Sequence, residues 1–211
     1  MSGILKVGGS ELINDNGGSG SLQWGSGLPS GSIVQVQNTQ YGDSSGESGN
    51  MTSMSANTNY VVCDGTAGSG TEILNVNITP RIYGSKIWLQ CHWFGELNTD
   101  NAYDSVFFFW RNTTKLASAV TANLEGEKGI SMATQTYKGD SDAATTPEIL
   151  FMQYFDTHGQ SQSDVNSGTQ ITYKLGFVTH NSNVTQLVTN RSKNNINEVG
   201  VSSICAIELA P

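Results

Sequence analysis

Residues 199–211, VGVSSICAIELAP, constrain the fold most, because they read as a β-strand that runs to the end of the chain. Val199, Val201, Cys205, Ile207 and Leu209 alternate with Gly200, Ser202, Ala206 and Glu208, a period of two interrupted only at Ser203 and Ile204. A closing strand of this kind is pinned into a sheet. What precedes it is therefore expected to be an antiparallel β domain and not a helical one.

Strand signals recur upstream at short spacing. Residues 32–37 (SIVQVQ) set Ile33 and Gln35 against Val34 and Val36, and residues 72–79 (EILNVNIT) point Leu74, Val76 and Ile78 inward with Ile73 on the polar side. Residues 86–93 (KIWLQCHW) carry Ile87, Leu89 and Cys91 on one face and Trp88, Gln90 and His92 on the other. Residues 112–115 read as a turn, 116–122 as a further strand, and 123–147 mostly as loop. Residues 170–178 alternate Ile171, Tyr173, Leu175 and Phe177 against Thr172, Lys174 and Gly176. The usual coats of a solvated helix are scarce: 13% of the residues are charged, against about 25% in an ordinary soluble chain. Eight to ten short strands with no helical stretch between them predict an all-β, antiparallel two-sheet sandwich or jelly roll.

Two strands are apolar on both faces: Ser105–Arg111 (SVFFFWR) and 148–155 (EILFMQYF). One sandwich interior needs only one such face, so a second dry contact is expected. Packing between subunits would supply it, with Phe107, Phe109, Trp110, Met152 and Tyr154 as candidate interface residues. Loops of the same chain after Ala122 are the alternative cover. Residues 1–31 differ in texture, a short apolar stretch followed by Gly/Ser-rich sequence, and divide from a domain at 32–211. They read either as an extended anchoring arm, with Ile4, Leu5, Val7, Leu22 and Trp24 as anchors, or as a disordered terminus.

A net charge of −8 without a basic cluster opposes nucleic acid as a partner. No apolar run of about 18 residues offers a membrane span, and the opening MSGILKVGGSEL lacks the pattern of a secretory leader, so synthesis in a cytoplasm is expected. Cys91 and Cys205 lie in strand patterns and read as buried free thiols; a bridge between them, or zinc shared with His92, has no supporting spacing. Gly42-Asp43-Ser44-Ser45-Gly46 fits the G-x-S-x-G motif, yet it sits in a Ser/Gly/Asn-rich loop without the strand and helix that such a nucleophile needs. His92, His158 and His180 are scattered. No catalytic residue, metal or cofactor is expected, and the chain reads as a non-enzyme.

The succession TPRIYGSKIWLQCHW, DSVFFFWRNTTKLA, EILFMQYFDT, TQITYKLGFVTHNSNVTQLVTNRS and GVSSICAIELA resembles a β-rich domain of virion proteins from tailed, particularly marine, bacteriophages. The resemblance covers about residues 32–211, and the opening MSGILKV is similar to the start of many proteins of such phages. It implies a TNF-like jelly roll, a homotrimer, and an N-terminal segment bound to other virion proteins. The function implied is a short tail-fibre or spike knob that attaches to a host-surface glycan or protein; capsid decoration is the alternative and a carbohydrate-active enzyme a distant third. No long shaft precedes the domain, which favours a short appendage. In a knob, loops at one end of the sandwich would meet the host. Tyr41, Asp43, Tyr103, His158 and Asp164 are then the candidate contacts, since aromatic rings stack on sugars and carboxylates accept hydroxyl protons.

Overall fold

A computed structural model describes residues 4–7, 9–14, 23–24, 27–42, 51–53, 55–64, 71–99, 104–116, 129–131, 147–193 and 198–211. In chain order the strands are β1 (Ile4–Val7), β2 (Ser10–Asn14), β3 (Gln23–Trp24), β4 (Ile33–Tyr41), β5 (Met51–Ser53), β6 (Tyr60–Val61), β7 (Cys63–Asp64), β8 (Thr71–Glu72) and β9 (Asn75–Ile78). They continue with β10 (Lys86–Leu97), β11 (Ser105–Arg111), β12 (Thr114–Lys115) and β13 (Glu148–Asp156). A short helix α1 (Gln162–Ser167) precedes β14 (Ile171–Thr179), β15 (Gln186–Thr189) and β16 (Ser202–Leu209).

The molecule is all-β, and two antiparallel sheets enclose its core. The larger runs β4-β16-β10-β15-β5, with β13 on the other edge of β10; the smaller runs β12-β11-β14-β6, with β9 also on β14. Twelve-residue β10 is the spine of the larger sheet. Its inward row of Ile87, Leu89, Cys91 and Trp93 is at most 1% exposed and meets Phe107, Phe109, Tyr173, Leu175 and Phe177 of the opposite sheet in one cluster. Trp93 contacts Phe107 at 5.0 Å between ring centroids, and Phe107 meets Phe177 edge-on at 4.7 Å, so one aromatic stack joins the layers.

The strand alternation of 86–93 and 170–178 matches the sides these residues take. Two local features differ. Ile73 is buried, because β8 and β9 are separate strands and the intervening chain turns it inward. The closing strand is pinned in the sheet between β10 and β4, but with its faces reversed: Ser202, Ile204, Ala206 and Glu208 point inward with no exposed surface, whereas Val199 and Val201 are about half exposed. Apolar parity misleads here because the inward carboxylate of Glu208 is fully hydrogen-bonded. β1, β2 and β3 pair as an antiparallel sheet, with Gly9 at φ +85 in the first turn, a backbone region that glycine enters without strain. Ile4, Leu5 and Val7 lie in β1 and Trp24 in β3, Leu5 is largely exposed, and Leu22 falls outside the described residues.

The two strands with two apolar faces resolve differently. Phe108, on the outer face of β11, is fully buried by its own chain: it lies across Gly176, packs edge-on against Trp110 at 5.3 Å, and has the Lys115 ammonium 4.3 Å from its ring centroid. Ile130 closes over it, as Ile130 N donates to Phe107 O. Among the described residues β13 has no such cover: Ile149, Phe151 and Phe155 are 48%, 61% and 56% exposed.

Candidate functional site

Two regions concentrate unusual chemistry, a buried polar cluster at one end of the sandwich and the outer face of the larger sheet. The first contains a serine and a histidine in contact, so its wiring decides what it can do. Ser85 Oγ lies 3.3 Å from His158 Nε2. His158 Nδ1 accepts from Gln160 N at 3.2 Å, which assigns the ring proton to Nε2. Nε2–H therefore donates to Ser85, and Ser85 donates onward to Glu208 Oε1 at 2.8 Å. A serine nucleophile needs the opposite direction, with an unprotonated nitrogen receiving its proton. Burial lowers the His158 pKa, outweighing the carboxylates of Asp156 and Glu208 that raise it.

The rest of the cluster is a clasp. Glu208 also accepts from Arg81 N, Ile82 N and Gln35 Nε2, so one carboxylate fastens the turn before β10 to β16 and β4. Asp156 receives Arg111 at 2.8 Å and the Tyr173 hydroxyl at 2.7 Å, which ties the end of β13 to the smaller sheet. Burial, then the Asp156 charge, pushes the Tyr173 phenol well above its ordinary range. His158 holds φ at +40, followed by Gly159 at +69, a bend that the clasp keeps in place.

Of the expected receptor contacts, Tyr41, His158 and Asp164 fall among the described residues, at separate places. His158 is 4% exposed inside the clasp and so faces no ligand in solution. Tyr41 is half-buried at the end of β4, packed on the core, with its carbonyl accepting from Asn190 Nδ2. It pairs with Ser202, while the clasp's Glu208 lies six positions along β16, roughly 20 Å away at about 3.3 Å per residue. Asp164 is half-buried and caps α1: Ser161 N donates to its carboxylate and Asp164 N donates to Ser161 Oγ, and the bonds from Ser161 to the carboxylate lower the Asp164 pKa. The S-x-x-D spacing at 161–164 was the available signal for this helix. Asp43 and Tyr103, together with most of the G-x-S-x-G motif, lie outside the described residues.

The expected interface residues are also redistributed. Phe107, Phe109 and Met152 belong to this chain's own core, Tyr154 packs against it, and Trp110 is half-buried with its Nε1 donating to Tyr60 O at 3.3 Å. Their parity mates on β13 face outward instead. Across the outer face of the larger sheet, register aligns Phe155, Trp88, Ile207 and Val36 in one row, and Phe151, His92, Ser203 and Gln40 in another. Gln153, Gln90, Cys205 and Asn38 lie between them. At one end Ile149 pairs with Phe94, whose ring packs on Gly200. From Lys86 at its rim to Phe94, this face carries no Asp or Glu in a chain of net charge −8. The next residue of that parity on β10, Glu96, is buried and accepts from Lys193 N.

Cys91 points inward and Cys205 outward, both are free, and burial raises each thiol's pKa. Among the described residues no His/Cys/Asp/Glu group has the arrangement of a metal site, and no helix is long and apolar enough to cross a membrane. Comparison with protein-family models and with curated proteins finds no match.

Proposed function

We propose that this chain is a structural protein of a bacteriophage virion, a short knob that assembles by self-association and serves attachment to the host surface. The observation that carries the assembly reading is the open, carboxylate-free outer face, above all Ile149 and Phe151. Four strands at about 4.8 Å spacing, about six residues of each from the Phe94 end at about 3.3 Å per residue, give roughly 400 Å² in projection. With side-chain relief this approaches the roughly 800 Å² that each partner contributes to a standard interface. A second copy fits best: the rest of an acidic chain repels its like, and here neutral surface meets neutral surface. A jelly-roll homotrimer is the form that the phage resemblance implies, and the Phe151 end of this face is where we place its contact.

The test is the native mass of the full chain by light scattering during gel filtration. Three times 22.5 kDa is expected for the wild type, and a single chain for I149D/F151D with unchanged circular dichroism. A wild type that stays at one chain mass at micromolar concentration refutes self-association. Antibody labelling of intact particles tests the virion assignment, which fails if no particle carries label.

A further inference from the structure

A second feature of the same sheet lies at its opposite end, about 13 Å from Phe151 along β13 at roughly 3.3 Å per residue. Here a cleft of about 490 Å³ is lined by Ser30, Lys86, Phe155, Thr157 and Leu209, among others. That volume lies within the ordinary range for small-ligand sites, about 300–1,000 Å³. Its walls combine four kinds of chemistry. Leu209 supplies an apolar floor, opposite Lys86 in the β16–β10 register. Phe155, 56% exposed, is backed by Trp88 in a near-parallel stack (5.6 Å, 11°), so its ring is held while part of it stays open. Lys86 supplies a positive charge. Ser30 and Thr157 supply hydroxyl groups.

The three polar side chains in this lining, Ser30, Lys86 and Thr157, have no hydrogen-bond or ion-pair partner among the described residues. This contrasts with the clasp a few residues away, where Glu208, Ser85, Asp156 and Arg111 are all engaged. Polar side chains that line a cleft beside an aromatic platform, and are bonded to nothing among the described residues, leave donors and acceptors available to a small polar ligand.

We infer that this cleft binds a carboxylate-bearing sugar ring, one apolar ring face lying on Phe155, the carboxylate at Lys86 and hydroxyls bonded to Ser30 and Thr157. Each part of that ligand answers one wall. A pyranose presents an apolar C–H face to an aromatic ring, and its hydroxyls both donate and accept, as Ser and Thr do. A single lysine in a chain of net charge −8 suits one carboxylate and not a polyanion. A phosphate would draw on an arginine fork or a cluster of backbone amides, and the cleft's charged side chain is a lysine. The inference names a ligand class for the attachment role proposed above and rests on that reading for its biological setting; it does not depend on self-association.

The experiment is a titration of the full chain with methyl glucuronide, followed by amide chemical shifts and saturation-transfer NMR, with methyl glucoside as the neutral control. Saturable millimolar binding of the glucuronide is expected, with shifts centred on Lys86, Phe155 and Thr157 and the glucoside bound at least roughly tenfold more weakly, equivalent to about 1.4 kcal/mol. K86M should abolish that preference and K86R should retain it. F155A should weaken both sugars together while the circular dichroism stays that of the wild type. No saturable binding, equal binding of the two sugars, or binding unaffected by K86M each overturns the inference. Attachment is read separately, by binding of the labelled chain to host cells. Glucuronide binding without cell binding would sink the attachment role and leave the cleft's assignment standing.

Discussion

Replacing Glu148 by glutamine is expected to stabilise the protein, and increasingly so as the pH rises. Glu148 opens β13, is 5% exposed, and accepts a hydrogen bond from Leu97 N at 2.9 Å. Burial is the main cause that raises its pKa, from an ordinary 4.5 to about 8; the Leu97 bond opposes the rise, and the neighbouring carboxylate of Glu96 adds to it. In the unfolded chain Glu148 loses its proton near pH 4.5, whereas in the fold it holds it to about pH 8. Between those values the native state binds more protons than the unfolded state, so stability falls as pH rises, by about 1.4 kcal/mol per pH unit from this group. The contribution is complete below pH 4.5 and is lost by about pH 8, a total on the order of 4–5 kcal/mol. The glutamine amide keeps an acceptor for Leu97 N and cannot ionise. Urea denaturation of both proteins at pH 5, 6, 7 and 8 is the assay. E148Q should lie within about 1 kcal/mol of the wild type at pH 5 and exceed it by several kcal/mol at pH 8. The reasoning fails if the difference between the two proteins is flat across that range or shrinks as pH rises.

Two further substitutions test how the sheets are held. A Cβ on Gly176 would sit 2.4 Å from the Phe108 ring, so G176A should cost about 1–3 kcal/mol in chemical denaturation, a cost that F108L should partly relieve in the double variant. E208A strands the amides of Arg81 and Ile82 and the side chains of Gln35 and Ser85, and should cost at least about 3 kcal/mol; a loss below about 1 kcal/mol would show that the clasp does not fasten β16.

Residue pattern is enough to read the class of fold and the faces of β10 and β14, because both strands separate large apolar side chains from polar ones by alternation. It fails where the inward row holds polar residues. In β16 a buried glutamate sits among Ser202, Ile204 and Ala206, and the amides of the 81–82 turn, brought in from over 120 positions away, join Ser85 and Gln35 in making that inward direction tolerable. It fails also in β13, where Leu150, Met152 and Tyr154 are no more apolar than Ile149, Phe151 and Phe155. Alternation there says that two faces are apolar, and leaves open which one belongs to the chain's own core. The clasp is invisible for a related reason, since Ser85, Arg111, Asp156, His158, Tyr173 and Glu208 come from five separate segments.

The different fates of the two aromatic strands give the outer face its meaning. A sheet face covered by its own chain carries marks of that cover: Gly176 is there because a Phe108 ring needs its space, and Lys115 and Ile130 close over the ring. Toward its Phe94 end the β13 face keeps large apolar side chains and has no such counterparts over Ile149 and Phe151 among the described residues. It also excludes carboxylates from the outward positions of β4, β13 and β16, and from those of β10 as far as Phe94, in a chain with 18 acidic residues. A solvated sheet face has no physical reason to avoid acids while keeping a phenylalanine and an isoleucine about half exposed or more; a face that is desolvated against another neutral surface has both.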